Sequence, residues 1–590
     1  MDGAAAAELT HALSPAQHAA VHGVGHQLVV ACPGAGKTRT LAYRAAHLLQ
    51  RDRGIRIAAC TFTVDAAREL KNRIADLAPG TQRRVTAGTF HALALTQLRS
   101  GGRKPARILS AFEQSSLIRE AWKACAPTST LQAVTEAIEG AKSTMQPQLD
   151  NVDANPPLAA FLHYQERLQA MGVCDFADLM RDAVLGMQQG EVSPLDVHAL
   201  LVDEFQDADE VQLEWVNQHA LAGIEVTVVG DDDQSLYGWR HALGFAGMER
   251  FRRTHGATRT VLDTCYRCAP SILEHARLLI EHNEQRVPKA LLAHNAADGQ
   301  IRVDVVASRS AEVCLMAQTI AREPDTLTWA VLARTNALLD AAEAALTGEG
   351  IPYRRVGSKS FWDGPIAGLY RAVLRSLSKG DRLGIDLLLG RAIHSPAARE
   401  ALSGYVGRPG MSFLDALVTA PPPISGIAPS DAGVLKEWID VLAQQRRLIH
   451  AGRMEALAHS LAERVARVFD GEQAAAIVGH CAATLCRLDG TVEQRLSAID
   501  RAAKPAPESA RVQLMTLHSS KGLEFDAVWM MACEHGALPH AKGELSEERR
   551  LAYVGMTRAR RRLHLSAARA RESDQSPIAC SQFLTEAGLA

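Results

Sequence analysis

The octapeptide Ala31-Cys32-Pro33-Gly34-Ala35-Gly36-Lys37-Thr38 narrows the folds open to this chain more than any other feature. It follows an apolar run, His26–Val30, that reads as a strand, and it opens a helical pattern from Arg39 to Leu49. A strand feeding a glycine-rich turn and then a helix belongs to an α/β unit with a parallel sheet. The turn also has the spacing of a phosphate-binding loop, with Ala31 standing where the strict pattern has glycine. The turn Cys32-Pro33-Gly34-Ala35-Gly36, through the backbone N–H groups of its residues other than Pro33, and the helix start at Lys37, Thr38 and Arg39 suit a phosphate chain. Lys37 would offset charge on the outer phosphates, and the Thr38 hydroxyl would ligate Mg2+, so ATP and Mg2+ are the expected nucleotide and cofactor.

The rest of the pattern repeats this alternation. Ile55–Thr61, Ala199–Val202 and Val226–Val229 read as further strands of a first sheet. Between Ala94 and Pro194 the pattern turns helical, with helices expected over Phe112 to Ala124, Thr130 to Ala141, Pro157 to Met171 and Phe176 to Met187. A second sheet is expected after the cluster near Arg259, through Ile301–Val306, Trp329–Ala333 and Tyr353–Val356. It resumes at Val512–Thr516, Val528–Cys533 and Leu563–Ala567 after a second helical stretch. The breaker run Pro421-Pro422-Pro423-Ile424-Ser425-Gly426 lies inside that stretch, and Lys504-Pro505-Ala506-Pro507 reads as a linker back. At 590 residues the chain is too long for one core. The expected division is 1–92 with 196–262, a helical insertion 93–195, then 263–376 with 509–590, and a reduced helical insertion 377–508.

Composition limits the partners. The formal net charge is −2, so contact with a nucleic acid must rest on a local groove and not on bulk charge. No apolar run approaches the length a membrane helix needs, and the start Met1-Asp2-Gly3 has no basic segment of a signal peptide. The eleven cysteines, an odd number, fit a reducing cytoplasm better than a disulfide scaffold. Cys265-Tyr266-Arg267-Cys268 is a lone CxxC, with His480, Cys481 and Cys486 as the other cluster. An isolated pair of this kind reads first as two buried or half-buried thiols, with a zinc or iron–sulfur site as the weaker alternative.

Two further segments carry chemistry. Leu201-Val202-Asp203-Glu204 ends a buried strand with adjacent carboxylates; beside a phosphate loop, one can hold Mg2+ and the other can orient or deprotonate attacking water. Val228-Val229-Gly230-Asp231-Asp232-Asp233-Gln234-Ser235-Leu236-Tyr237-Gly238-Trp239-Arg240 joins two signals. The strand end with its acidic turn suits a phosphate site at a sheet's carboxyl edge. Tyr237 and Trp239, with Arg240 beside them, suit stacking on nucleobases.

These motifs, in this order, resemble the UvrD/Rep-type superfamily-one DNA helicases. The resemblance implies a fold of two RecA-like parallel-sheet α/β domains, each interrupted by a mainly helical insertion. Leu13-Ser14-Pro15-Ala16-Gln17 resembles the Q motif, which implies that Gln17 reads adenine. Thr61-Phe62-Thr63 and Thr89-Phe90-His91 resemble strand-binding motifs, which implies DNA contacts by Phe62 and His91. The segment from Val228 resembles motif III, with Gln234 sensing the γ-phosphate and Tyr237 and Trp239 touching bases. Tyr266-Arg267 resembles the start of motif IV, with Tyr266 stacking on adenine and Arg267 reaching the γ-phosphate. Thr516 to Phe525 resembles motif V, implying that Glu524 contacts the nucleotide and that the loop with His518 contacts the strand. Glu548 to Ala559 resembles motif VI, with Arg558 as a second arginine finger. Asp175-Phe176-Ala177-Asp178-Leu179 resembles a short family segment of the first insertion. Arg560-Arg561-Arg562 reads as a helix C-terminal cap or a solvated face without a catalytic role.

Three places depart from the family pattern. Val64-Asp65 puts an acid where a polar or basic pair is usual, so it either weakens strand binding or points away. Phe361-Trp362-Asp363-Gly364-Pro365 replaces a charged helix start, and Arg391-Ala392-Ile393-His394 only faintly resembles the duplex-binding turn. The expected activity is ATP-dependent movement on single-stranded DNA coupled to duplex unwinding, with 3′-to-5′ travel implied by the resemblance. The expected partners are single strands and single/double-strand junctions, with no membrane. Two other readings stand beside it: a translocase that remodels protein–DNA complexes or serves a larger repair or defence complex, and a P-loop enzyme of small molecules. A fused nuclease is not expected, because little chain follows Leu565.

Overall fold

The computed structural model describes residues 13–100, 107–150, 152–395, 411–419, 429–469, 472–502, 510–570 and 576–590. The breaker run 421–426 and the linker 504–507 lie outside the described residues. By contacts the chain divides into two compact units, Met1–Asp298 with Glu544–Tyr553, and Gly299–Gly543 with Val554–Ala590.

The first unit is built on six parallel strands: β1 (Gln27–Ala31), β2 (Ile57–Thr61), β3 (Val85–Thr89), β4 (Ala199–Val202), β5 (Glu225–Gly230) and β6 (Thr258–Leu262). Their order is β3-β2-β4-β5-β1-β6, every neighbour parallel. The inner strands β1, β2 and β4 are buried along their whole length, as near-continuous apolar runs must be in a sheet covered on both faces. The edge strands β3 and β6 escape a reading by apolar runs. β3 buries only Val85, and β6 begins with exposed Thr258 and Arg259. The cluster near Arg259 is therefore the last strand of the first sheet, and the second sheet follows it from Gln300, as expected.

The helical block between β3 and β4 splits in two. Ala111–Cys125, Leu131–Lys142 and Pro156–Met171 close over their own core of Ile118, Val134, Ile138, Tyr164 and Leu168. The last helix of the block, Phe176–Gln188, puts Leu179, Met180, Ala183 and Val184 into the core of the sheet instead. Buried Lys142 joins the two parts, donating to Asp175 at 2.6 Å and to Asp178 at 2.8 Å, while Tyr164 Oη donates to Asp175 at 2.9 Å.

The second unit repeats the architecture: β7 (Gln300–Val306), β8 (Trp329–Ala333), β9 (Tyr353–Arg355), β10 (Val512–Thr516), β11 (Phe525–Met530) and β12 (Ala559–Ala568), in the order β7-β12-β11-β8-β10-β9, all parallel. The helix Pro365–Lys379 shares one core with the helical stretch that follows it, packing Tyr370 and Leu374 with Leu461, Cys481 and Leu485. Trp362 belongs to that core, fully buried, with its indole N–H donating to Thr347 Oγ1 at 3.1 Å. The Phe361-Trp362 departure is thus a packing element. Ile393 is buried in the same core, and Arg391 lies over the Phe469 ring, 4.5 Å from its centroid. The basic run Arg560-Arg561-Arg562 belongs to β12 and not to a helix end. Arg560 pairs with Glu524, Arg561 with Asp526 at 2.9 Å, and Arg562 with Glu323 at 2.5 Å. Both sheets with their helical insertions make this an α/β protein of two RecA-like domains.

Candidate functional site

β1 delivers the chain to the phosphate loop. Ala31 still lies in the strand, where a Cβ costs nothing, which explains how alanine replaces the usual glycine. Cys32 and Pro33 are buried. Gly34 and Gly36 then take φ of +68° and +77°, the left-handed region that glycine enters without strain. The helix Lys37–Arg51 begins with Gly36 as its N-cap and no side-chain cap, so its first N–H groups are left for a ligand. Arg39 is exposed and lies over Tyr43 of the same helix, 5.4 Å from the ring centroid.

The groups named from sequence converge on this loop. Thr38 Oγ1 donates to Asp203 Oδ2 at 2.9 Å, and Lys37 Nζ lies 3.4 Å from Glu204 Oε2. Burial, then the adjacent Glu204, pushes the Asp203 carboxyl up to about 6, against the opposing pull of Lys37 and Thr38. Glu204 has φ +54°, a strained value for a side chain with a Cβ and one that concentrates at functional sites. The Thr38 and Asp203 oxygens form a hard-oxygen pair of the kind Mg2+ prefers, so the residues present fit that ion. Gln17 donates from Nε2 to Ala35 O at 2.9 Å, and a Cβ on Gly36 would come within 3.1 Å of the same nitrogen. Gln17 is held there by the capping box with Ser14.

Arg267 is placed against the loop in the same unit. Tyr266 N–H donates to Gly34 O at 3.0 Å, and a Cβ on Gly34 would come within 2.6 Å of Arg267 Cβ. Tyr266 is 37% exposed, its ring 4.6 Å from that of His294.

In the acidic turn, Asp231, Asp232 and Asp233 are buried and close enough together to resemble a cation site, and cationic side chains of the same unit engage them. Lys289, wholly buried, donates to Asp231 at 2.8 Å and Asp232 at 2.6 Å and lies 2.9 Å from Asp233, which Arg286 also grips at 2.8 and 2.9 Å. Burial alone would lower the Lys289 ammonium; the three carboxylates overcome it and raise it well above its ordinary value. Asp231 in turn accepts from Gln234 Nε2 at 2.5 Å. Gln206 links the two carboxylate turns, its amide nitrogen donating to Glu204 Oε2 at 2.6 Å and its oxygen accepting from Asp231 N–H at 2.9 Å. Sequence reasoning missed Lys289, Arg286 and Gln206.

The same loop surfaces a few residues on. Trp239 is 55% exposed; its ring and that of Tyr237 lie 6.4 Å apart, edge to face, with the Arg240 guanidinium 4.5 Å from the Trp239 centroid. Phe62 is half-buried against Phe90 at 5.2 Å, and His91 lies 6.0 Å from the exposed ring of Phe176. Burial lowers the His91 imidazole, with Asp175 opposing. Asp65 pairs with Arg68 at 2.7 Å in the first turn of the helix Val64–Leu77, where an acid suits the helix dipole. This acid serves its own helix.

In the second unit His518 opens a short turn after β10, and Glu524 pairs with Arg560. Arg558 is 1% exposed and donates to Val554 O at 2.9 Å, Leu523 O at 3.2 Å and Thr557 Oγ1 at 3.3 Å. Its guanidinium is held by its own unit.

A phosphate loop, paired carboxylates at a neighbouring strand end and two parallel sheets define the class of P-loop nucleotide hydrolases. The UvrD/REP helicase N-terminal domain model matches residues 13–254, and the UvrD-like helicase C-terminal domain model matches residues 260–366 and 494–570. The chain is 31% identical to the ATP-dependent DNA helicase UvrD1 of Mycobacterium tuberculosis (strain ATCC 25618 / H37Rv) over 98% of this chain and 85% of that one. It is 29% identical to the ATP-dependent DNA helicase PcrA of Leuconostoc citreum, over 95% of this chain and 82% of that one. It is 28% identical to DNA helicase II of Escherichia coli (strain K12), over 92% and 82%. The chain belongs to the UvrD/REP helicase family. Among the described residues no helix is long and apolar enough to cross a membrane.

Proposed function

We propose that this protein is an ATP-dependent DNA helicase that moves along single-stranded DNA and separates duplex at single/double-strand junctions, travelling 3′ to 5′. The observation that carries this reading is the loop after β5. It holds Gln234 buried on Asp231 at one end and exposes Trp239 at the other, so a change on the nucleotide side has a short covalent path to the base platform.

Lys37 and the free N–H groups of the loop bind the phosphates of ATP, and Gln17 and Tyr266 hold the adenine. Thr38 and Asp203 hold Mg2+, which when bound offsets phosphate charge. Glu204 orients the attacking water and accepts its proton. Gln234 and Arg267 respond to the γ-phosphate, and we assign Arg558 and Glu524 to the same nucleotide. Loss of the outer phosphate removes the charge these arginines bind. Tyr237, Trp239, Phe62, His91 and His518 hold the strand, each stacked base worth about 1–3 kcal/mol. The division 1–92 with 196–262, 93–195, 263–376 with 509–590 and 377–508 is proposed as the functional one, and a cytoplasmic location goes with it.

The test is ATP turnover with and without single-stranded DNA, followed by unwinding of duplexes with 3′ or 5′ tails. Turnover indifferent to single strands would remove the DNA reading. A second reading, a translocase that remodels protein–DNA complexes without unwinding, is favoured by the stretch between residues 366 and 494, which the family models leave unmatched. Strong single-strand-stimulated turnover with no unwinding of either tailed duplex would select it.

A further inference from the structure

Cys265 and Cys268 take no part in the nucleotide site as described, yet they flank its arginine. Cys265 ends a two-residue strand, Thr264–Cys265, paired with Leu292–Ala293. Cys268 stands one residue before the N-cap of the helix Pro270–Ile280. Both side chains are buried. The Cys268 N–H donates to Cys265 Sγ at 3.4 Å, and the two thiols also hydrogen bond to each other. A Cβ on Gly34 would come within 3.3 Å of Cys265 Sγ and 2.6 Å of Arg267 Cβ. The two thiols, Arg267 and the phosphate loop are therefore packed without slack.

We propose that Cys265 and Cys268 form a redox modification site, which hydrogen peroxide converts to an intramolecular disulfide that displaces Arg267 and reversibly stops ATP turnover. The Cys265 thiolate attacks one peroxide oxygen. The O–O bond breaks, hydroxide leaves and takes up a proton as water, and Cys265 becomes a sulfenic acid. The Cys268 sulfur then attacks the Cys265 sulfur; the S–O bond breaks and the oxygen leaves as a second water. Two thiols lose two electrons, the peroxide gains them, and a dithiol reverses the change.

The surroundings suit this order of attack. The Cys265 thiol is drawn down to about 6, chiefly by the hydrogen bond from the Cys268 thiol, against burial, with the Cys268 and Arg267 N–H groups helping. Cys32, which also feels the charge of Cys265, is pushed well up by burial and stays a thiol, so it does not compete as a nucleophile. A disulfide brings its sulfurs to about 2.05 Å, well inside hydrogen-bond separation. The peptide between them must shift, and Arg267 lies on it.

The consequence for turnover rests on the reading of the nucleotide site; the disulfide does not, and the two are read separately. The reduced full-length chain is treated with hydrogen peroxide, blocked with N-ethylmaleimide and cut with trypsin without reductant. Trypsin cleaves after Arg267, so the peptides ending at Arg267 and starting at Cys268 stay joined only through the disulfide. The expected result is the joined pair, 2 Da below the sum of the free peptides, together with a fall of about tenfold or more in single-strand-stimulated turnover that dithiothreitol restores. Cys268→Ser should keep turnover within about twofold and resist peroxide, and Cys265→Ala serves the same purpose should Cys268→Ser fail to fold. Absence of the joined pair, or its formation with turnover unchanged, overturns the proposal, as does a variant inhibited as strongly as the parent. A reduced parent chain that never turns over ATP would instead refute the nucleotide reading, with the peptide assay still deciding the disulfide.

Discussion

The two sheets have the same number of strands, all parallel, and each feeds its inner strands into helices. The turns between strand and helix differ. After β1 the chain spends Cys32–Gly36 on a loop with two left-handed glycines before its helix begins. After β8, an equally buried strand, only Arg334 and Thr335 separate Ala333 from the helix Asn336–Gly348. Two residues cannot curl N–H groups around a phosphate; five with two left-handed glycines can. The scaffold is shared, and the chemistry lies in the turns.

The sharpest way to break this comparison is Lys37→Ala. ATP turnover should fall to background while the melting temperature holds, because the ion pair of Lys37 with Glu204 is long, at 3.4 Å. Normal turnover would move the nucleotide away from the first sheet. Arg267→Ala comes next, with turnover expected to drop by about 10³-fold as for other arginine fingers; a loss under tenfold would leave Arg267 as packing against Gly34. Lys289→Ala probes the turn after β5. It leaves three buried carboxylates with one arginine, so a loss of about 3–5 kcal/mol in denaturant unfolding is expected. A change below about 1 kcal/mol would mean that the carboxylates take up protons at little cost. Trp239→Ala should weaken single-strand binding by about 1–3 kcal/mol, measured by fluorescence titration, and leave unfolding nearly unchanged because the ring is exposed. Unchanged binding would exclude the ring from the strand path. The smallest effect is expected from Thr335→Ala at the short turn of the second sheet. Its side chain makes no cap hydrogen bond, so turnover should stay within about twofold; a large loss would show that this turn also serves the nucleotide.

Much of the architecture was legible where residues act through covalent neighbours. β8 and β10 match the expected Trp329–Ala333 and Val512–Thr516, since inner parallel strands are continuous apolar runs. Four of the five α-helices between β3 and β4 were legible from their helical pattern. The edge strands β3 and β6 were not, because a strand with one open side can be polar and leaves no pattern. Asp203 and Glu204 could be singled out beside the phosphate loop because both sit at strand ends, which a parallel sheet gathers along one edge.

The residues by themselves determined the phosphate loop, the alternation of strands and helices, and the aromatic pair after β5. All of these are short-range, set by backbone preference and by hydrophobic periodicity within one element. Only the tertiary structure decided that Asp231, Asp232 and Asp233 belong to Lys289 and Arg286, and that Gln206 ties Glu204 to Asp231. Only it decided that Cys265 and Arg267 lie against Gly34. Except for Gln206 and Glu204, two positions apart, those pairings join residues 25 or more positions apart. Their energies come from desolvating charge and from close packing, which depend on distance in space and leave no trace in local spacing.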